Sequence, residues 1–311
     1  MASVAAAART ALADGALELP DPGSGGTGAR WAALEELGRA DLTVARLAEG
    51  HVDAVSILHE AGLTARPGRL YGVWAARSGG TGAVIRDGAL SGTVRFCSGT
   101  GSLDRALVAA LADDDKSLLV DVDLTDERIS RDADAWQAIG MDASDSGDVT
   151  FHDLPVGADA VVGPPGFYLE RPGFWWGGGG VAAVWWGGCA GVLDRLRAQL
   201  AEREPDEHQL AHLGALHTGL IATRALLADT AAAIDAEPSA EHRDLVMVCR
   251  GAVEVLARDV LDRVPRITGP TALSRDRGFA QALADLQVYV RQHHGERDFA
   301  ALGRLVLAGC R

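Results

Sequence analysis

The chain has 311 residues, nearly half of them apolar, with a formal net charge of -14. That length exceeds the usual single core, so two or three structural units are expected. The sparse lysine and acidic balance argue against a nucleic-acid partner, because phosphate neutralisation needs clustered Lys and Arg. No run of about 18 apolar residues occurs, which argues against a membrane span. The Ala-rich start lacks the pattern of a secretory leader, and a cytoplasmic location is expected. Cys97, Cys189, Cys249 and Cys310 are widely separated with no CxxC pair, so neither a disulfide framework nor a zinc site is indicated and reduced, mostly buried thiols are expected.

In chain order, residues 17–28 are rich in Pro, Gly and Ser and read as a loop. Two helical patterns follow. Leu34 and Leu37 mark the first; Leu42, Ala45, Val52, Val55 and Leu58 mark the second, with Asp41 as N-cap and Gly62 as stop. His51 and His59 fall on this second helix, where a histidine is more often a satisfied structural residue than a catalytic one. From Leu70 the pattern changes to short apolar runs (LYGVWAA, AVIRDGALSG, TVRFCSG, RALVAAL, SLLVDVDL) broken by turns, with Asp87-Gly88 as a hairpin signal. GDVTFHDLPV adds a strand with Val149 and Phe151 on one face and Thr150 and His152 on the other. These runs predict a small antiparallel barrel or sandwich over residues 67–165, after an N-terminal helical region at 1–66.

The stretch from Gly166 to Gly188 holds Trp175, Trp176, Trp185, Trp186 and the glycine run Gly177–Gly180. Glycine allows close backbone approach to another helix or to a ligand, and tight packing is the favoured expectation. A helix is expected from Ala190, and a second over residues 205–236 with Leu213, Leu220, Leu227 and Ile234 in a seam. A third is expected over 239–264 with Leu245, Val248, Ala252, Val255 and Leu256 on one side, ended by Pro265 and Gly269-Pro270. A fourth, from Ser274, places Phe279, Leu283, Leu286 and Val290 on one face, and a short helix follows Asp298. The fold class predicted is α+β, with a C-terminal four-helix bundle over 166–311. In RQHHGERD, His293 and His294 point to different sides of a helix and Gly295 breaks it. An end-of-helix charge cluster, with Arg291 and Arg297 offsetting Glu296 and Asp298, is therefore expected instead of a metal site.

Four segments in this order resemble the acyl-CoA dehydrogenase superfamily of flavoproteins, as a shortened and divergent member. GRADLTVARLAEGHVDAVSILHEAG is similar to the family's late N-terminal helix, and ALSGTVRFCSGTGSLDRALVAA to its G-x-K-x-W-I-T-N strand pair. IGMDASDSGDVTFHDLPV resembles its G-M-R-x-T-x-S-x-D-V-x-F-x-D segment, and SRDRGFAQALADLQVYVRQ its C-terminal R-D-A-R helix start. The resemblance implies FAD-dependent α,β-dehydrogenation of an acyl-thioester, with an acyl-CoA-type small-molecule substrate and a homo-oligomer or a related subunit as partner.

It places Gly72, Val73 and Trp74 at the flavin ring edge, and Phe96, Cys97 and Ser98 on the Trp-Ile-Thr strand, where a hydroxyl bonds the ring near its reactive nitrogen. Asp285 is the carboxylate nearest the position of the family's catalytic base, one residue off. The family's T-E-P-x-x-G-S-D loop is replaced by WAARSGGTG, and its R-x-x-F clamp on the FAD diphosphate by the acidic EREPDEHQL. Two alternatives follow from these departures. One is a non-catalytic or partner-dependent subunit that has lost clamp and base; the other is a flavin-dependent monooxygenase on the same scaffold.

Overall fold

The computed structural model describes residues 3–113, 116–202 and 204–309. Helices α1 (Val4–Ala13), α2 (Thr27–Ala40) and α3 (Leu42–Glu60) come first. Seven strands follow: β1 (Tyr71–Trp74), β2 (Ala83–Arg86), β3 (Ala89–Cys97), β4 (Arg105–Leu111), β5 (Ser117–Asp123), β6 (Ile129–Asp132) and β7 (Gly147–Pro155). The rest is helical: α4 (Phe167–Glu170), α5 (Gly173–Leu200), α6 (Glu207–Ala236), α7 (Arg243–Arg275), α8 (Arg277–Tyr289) and α9 (Glu296–Leu307). The chain folds into two compact units. One comprises Met1–Leu19, Arg46–Gln137 and Asp142–Phe174; the other comprises Pro20–Ala45, Ala138–Met141 and Trp175–Arg311.

The first unit contains the sheet. Its architecture is α+β as expected, but the sheet is mixed and is not closed into a barrel. The reason lies in β4, RALVAAL, whose near-continuous burial marks it as the central strand. β5 pairs antiparallel along one edge of β4, while β1 and β2 share the other edge end to end, both parallel to β4. From β2 the sheet continues through β3 and β7 to β6, all antiparallel. No strand pairing joins β6 back to β5 among the described residues. The turn-broken runs predict an antiparallel barrel or sandwich, but β1 pairs parallel with β4 and reaches it only by a crossover that contains the β2–β3 hairpin. That hairpin turns at Asp87-Gly88, both at positive φ. β6, with the polar sequence ISRD, gave no apolar pattern and was not anticipated.

One face of the sheet is covered by α3. Ala54, Ile57 and Leu58 pack against Tyr71, Leu107, Ala109 and Leu119. Asp41 caps the helix as predicted, its carboxylate accepting from the backbone N–H groups of Thr43 and Val44. Gly62, at φ 73, ends it. His51 is buried and structural: its Nδ1 accepts the Tyr71 backbone N–H at 3.2 Å.

The second unit is helical, and α5 is its centre. The helix begins at Gly173, well before the Ala190 start predicted, and runs straight through Gly177–Gly180 and all four tryptophans. Four consecutive glycines are poor helix formers in isolation, so tertiary packing overrides propensity here. α2 lies so close to α5 that a Cβ on Gly187 would sit 2.1 Å from the carbonyl oxygen of Glu35, one on Gly191 2.4 Å from that of Arg39, and one on Gly38 2.2 Å from that of Val184. Gly179 faces the ring of Trp31 at 2.3 Å by the same measure. Asp235 of α6 fixes the start of α2, accepting from the backbone N–H groups of Gly25 and Thr27 and from the Thr27 hydroxyl. α2 thus packs as a wall of the helical unit.

In α7 the buried stripe is Val246, Cys249, Val253, Leu256 and Val260, while Val248 and Val255 are exposed. The predicted face was therefore rotated by about one residue. The helix also runs past Pro265 and breaks only locally at Gly269, whose φ of 64 and ψ of -163 no other residue type adopts readily. Cys97, Cys189 and Cys249 are free and buried; Cys310 lies outside the described residues.

The α2–α5 contact predicts opposite outcomes for two glycine substitutions. Gly187→Ala places a methyl group against a carbonyl that cannot yield, and is expected to lower stability by about 3 kcal/mol or more. Gly214→Ala, in an exposed helical position with open space around it, is expected to raise stability by about 0.5–1 kcal/mol. Urea denaturation of both variants checks the pair.

Candidate functional site

The residues singled out on β1 and β3 converge at one place in the first unit. Gly72, Val73, Trp74 and Ser98 line a cavity of about 10 Å³ together with Arg46, Leu47, Gly50, Tyr71 and Leu103. That volume admits about one water molecule, so these residues pack against one another and do not enclose a ligand. The Trp74 indole N–H donates to the Ser98 carbonyl at 3.1 Å, which pins the end of β3 to β1. A Cβ on Gly72 would lie 2.5 Å from Leu103 Cδ1, so a side chain there would have to push the Leu103 side chain aside.

Phe96, Cys97 and Ser98 point in different directions because the β3–β7 register shifts between Val94 and Cys97. Phe96 adopts φ 60 and turns its ring outward, with 57% of its surface exposed. A large aromatic residue in the left-handed region, and exposed, is uncommon, and such backbone strain clusters at functional positions. Cys97 turns inward. Its thiol donates to the Val94 carbonyl, and burial pushes its pKa well up, which keeps it protonated and unreactive.

Ser98, half-buried between them, is the most constrained hydroxyl of the group. Arg46 Nε donates to its Oγ at 3.1 Å, and so does the Ser146 hydroxyl at 3.1 Å, itself 2.8 Å from the hydroxyl of Ser144. A hydroxyl has two lone pairs and one hydrogen. With both lone pairs filled by donors, the Ser98 hydrogen is left to donate elsewhere.

Arg46 is held in turn by Glu49, one turn along α3, at 2.5 Å. Glu49 is buried, and desolvation pushes its carboxyl up to about 7, against the opposing pull of Arg46 and with a further push from Asp53. Tyr168 stands in the field of the same groups and of Arg171, and burial raises its phenol to about 12. Reasoning from the apolar stripe of α3 passed over Arg46 and Glu49. The signal available was an Arg and a Glu at i,i+3, with Asp53 four residues further, on the helix's polar side.

Asp285 belongs to the second unit, buried on α8. Its Oδ1 accepts the Met141 backbone N–H at 2.6 Å and Gln281 Nε2 at 2.9 Å. Gly140 docks on the same helix, where a Cβ would meet the Ala284 carbonyl oxygen at 2.0 Å. The carboxylate therefore anchors residues 138–141 to α8. His293 is also buried and structural, its Nδ1 accepting from the Gly295 N–H, its ring against Phe299, and its pKa lowered chiefly by burial. His294 pairs with Asp298, and Arg291 reaches Glu254.

No family model matches the chain. Dibenzothiophene monooxygenase of Rhodococcus erythropolis is 33% identical over 84 residues, which is 26% of this chain and only 20% of that protein. Structural likeness extends much further. TdsC of Paenibacillus sp. A11-2, in complex with FMN and indole, superposes with a TM-score of 0.77 at 18% identity, covering 91% of this chain and 84% of that one. KijD3, in complex with FMN and a dTDP-linked amino-keto sugar, gives 0.83 at 19% identity over 98% and 86%. Methanesulfinate monooxygenase MsuC from Pseudomonas fluorescens gives 0.77 at 20% identity over 91% and 83%. The chain shares the fold of these proteins, consistent with an acyl-CoA dehydrogenase-like architecture.

Two outcomes follow from the buried carboxylates. Glu49 binds its proton more tightly in the folded chain, at about 7, than at its ordinary value of 4.5. Its contribution to stability is therefore full below about pH 4.5 and is lost as pH rises through 7, a difference on the order of 3 kcal/mol. Glu49→Gln, which never ionises, should show a smaller loss than wild type in urea denaturation compared at pH 5 and pH 8. Asp285→Ala leaves the Met141 N–H without its acceptor and should lower stability by about 1–3 kcal/mol in the same assay, with Asp285→Asn recovering part of it.

Proposed function

We propose that the chain is a flavin-dependent monooxygenase-type oxidoreductase that takes FMN and oxidises a small molecule at a sulfur or nitrogen atom. The observation that carries this reading is the fold shared over nine-tenths of the chain with TdsC, which binds FMN. The names of the similar proteins support the reaction class, since TdsC and MsuC are monooxygenases of sulfur compounds and a nitrososynthase from Micromonospora carbonacea var. africana is also similar, at a TM-score of 0.78.

The residues on the page fit a flavin at one face and one edge. Phe96 offers an exposed aromatic surface, and Ser98 an oriented donor for a polar ring atom. Trp74 pins the end of β3 to β1 beneath them, Gly72 lies buried and Val73 half-exposed on β1, and Cys97 anchors the bulge from inside. When bound and reduced, the flavin would supply the two electrons that let dioxygen place one oxygen atom on the substrate and release the other as water. Those electrons would have to be delivered by an external reductant, such as a reduced nicotinamide.

FMN is favoured over FAD because the structures sharing the fold hold FMN. The stretch corresponding to the resembled family's clamp on the FAD diphosphate, EREPDEHQL, is acidic. FMN lacks the adenosine half that this clamp secures, and its own phosphate needs separate donors. Acyl-thioester dehydrogenation is disfavoured by the candidate base: the Asp285 carboxylate is occupied by Met141 and Gln281, and a base must be free to reach the substrate's α-proton.

Purified protein titrated separately with FMN and FAD should acquire the visible bands of bound flavin with FMN at a Kd at least about tenfold lower. Supplied with a flavin reductase, NADH and dibenzothiophene, it should consume oxygen and form the sulfoxide. Anaerobic bleaching by an acyl-CoA without NADH would favour the dehydrogenase reading instead, and no bound flavin at all would overturn both flavin-dependent readings.

A further inference from the structure

We propose that Arg46 and Glu49 are positioning residues for the Ser98 hydroxyl: their ion pair on α3 holds the guanidinium against one lone pair of Ser98 Oγ, fixing the hydroxyl hydrogen as the donor to the flavin ring edge. This rests on the flavin reading above.

The geometry runs in one direction. A guanidinium has five donors and no acceptor, so Arg46 Nε contributes a hydrogen to Ser98 and can never receive one. The Ser146 hydroxyl fills the second lone pair. Left to itself, a serine hydroxyl rotates among several partners. Here rotation is closed off by a charged donor on a rigid helix, itself clamped at Nη1 by Glu49 at 2.5 Å. Gly50, one turn beyond Arg46, stands beside the guanidinium: a Cβ there would lie at contact distance, 3.7 Å from Arg46 Nη1 and 3.9 Å from the Gly72 Cα. Arg46, Gly50, Gly72, Trp74 and Ser98 all face the same one-water cavity.

The clamp responds to pH. Glu49 shares its surroundings with Arg46 and Asp53 on its own helix and with Tyr168 and Arg171 on the segment around α4, while Cys97 and Asp148 lie on the Arg46 side. Burial raises the Glu49 carboxyl enough that it gains a proton as pH falls below about 7, and protonation removes the charge that holds Arg46. The Ser98 donor is therefore most firmly set above neutrality.

FMN affinity, read from the flavin's visible spectrum, tests this without turnover. Ser98→Ala and Arg46→Gln are each expected to raise the Kd about tenfold, the loss of one charge-assisted hydrogen bond. The double variant should lose no more than either single one, with the same displacement of the flavin band in all three. A purely structural Arg46 would add its loss to that of Ser98→Ala, giving about a hundredfold, and that result overturns the proposal, as does a wild-type Kd in Arg46→Gln.

Between pH 8 and pH 6 the wild-type Kd should rise more than that of Glu49→Gln, which is weak at both; equal pH profiles also overturn it. Should Arg46→Gln not fold by circular dichroism, Arg46→Lys serves, because one ammonium cannot reproduce the fork that spans Ser98 and Glu49; an unchanged Kd there counts against the proposal. Wild-type protein that takes up no FMN overturns the flavin reading and this inference together. Bound FMN indifferent to Arg46 overturns the inference alone.

Discussion

The helical unit depends on a backbone-to-backbone contact between α2 and α5. Gly38, Gly187 and Gly191 bring the two helices close enough that a methyl group at any of them would overlap a main-chain carbonyl. Nothing flexible lies at those points, so the contact tolerates no larger residue without moving a helix. Other features of the unit follow from it. The glycine-rich run becomes helical because packing supplies what propensity withholds, Trp31 lies across Gly179, and Asp235 fixes where α2 begins. A composition that looks like a flexible linker is in fact the least adjustable part of the molecule.

In the sheet unit the corresponding constraint is polar. A chain of hydrogen bonds passes from Glu49 through Arg46 to Ser98 and on to Ser146 and Ser144, beneath a strand end that turns an aromatic ring outward. Buried polar networks are costly when half satisfied and rigid when complete. Each member here has a partner, and the hydrogen of Ser98 is the one left over. Where such a network ends at a half-buried hydroxyl beside an exposed aromatic ring, its last hydrogen is a natural place for a ligand. The flavin reading builds on that ending.

Much of this was legible in the sequence. The strand runs, the Asp41 cap, the Gly62 stop, the Asp87-Gly88 hairpin and the alternation in β7 are local signals, and the structure agrees with them because local physics decides them. The resemblance in four segments pointed to a flavoprotein scaffold, and the fold shared with FMN-bound proteins agrees at that level. Pairing was harder to read. β4 looks like any short apolar run, and only its two occupied edges make the sheet mixed and open. The face of α7 was off by one residue because apolar residues border both sides of its stripe. Arg46 and Glu49 were invisible to a search for apolar periodicity, since their meaning comes from Ser98, 52 residues away from Arg46. Asp285 was found by counting, but counting gives no account of the Met141 N–H that occupies it.

The interleaving of the two units has a consequence for how the chain is made. Residues 20–45 belong to the helical unit, yet the next stretch of that unit is four residues long and its main body starts only at Trp175. During synthesis α2 is finished long before Gly187 and Gly191 exist to receive it, with the whole sheet emerging in between. Its partner contact closes a loop of roughly 150 residues, a non-local step that slows folding. Until then the Trp31 and Leu34 face of α2 is uncovered, so the emerging chain carries an adhesive apolar surface that the finished protein does not show.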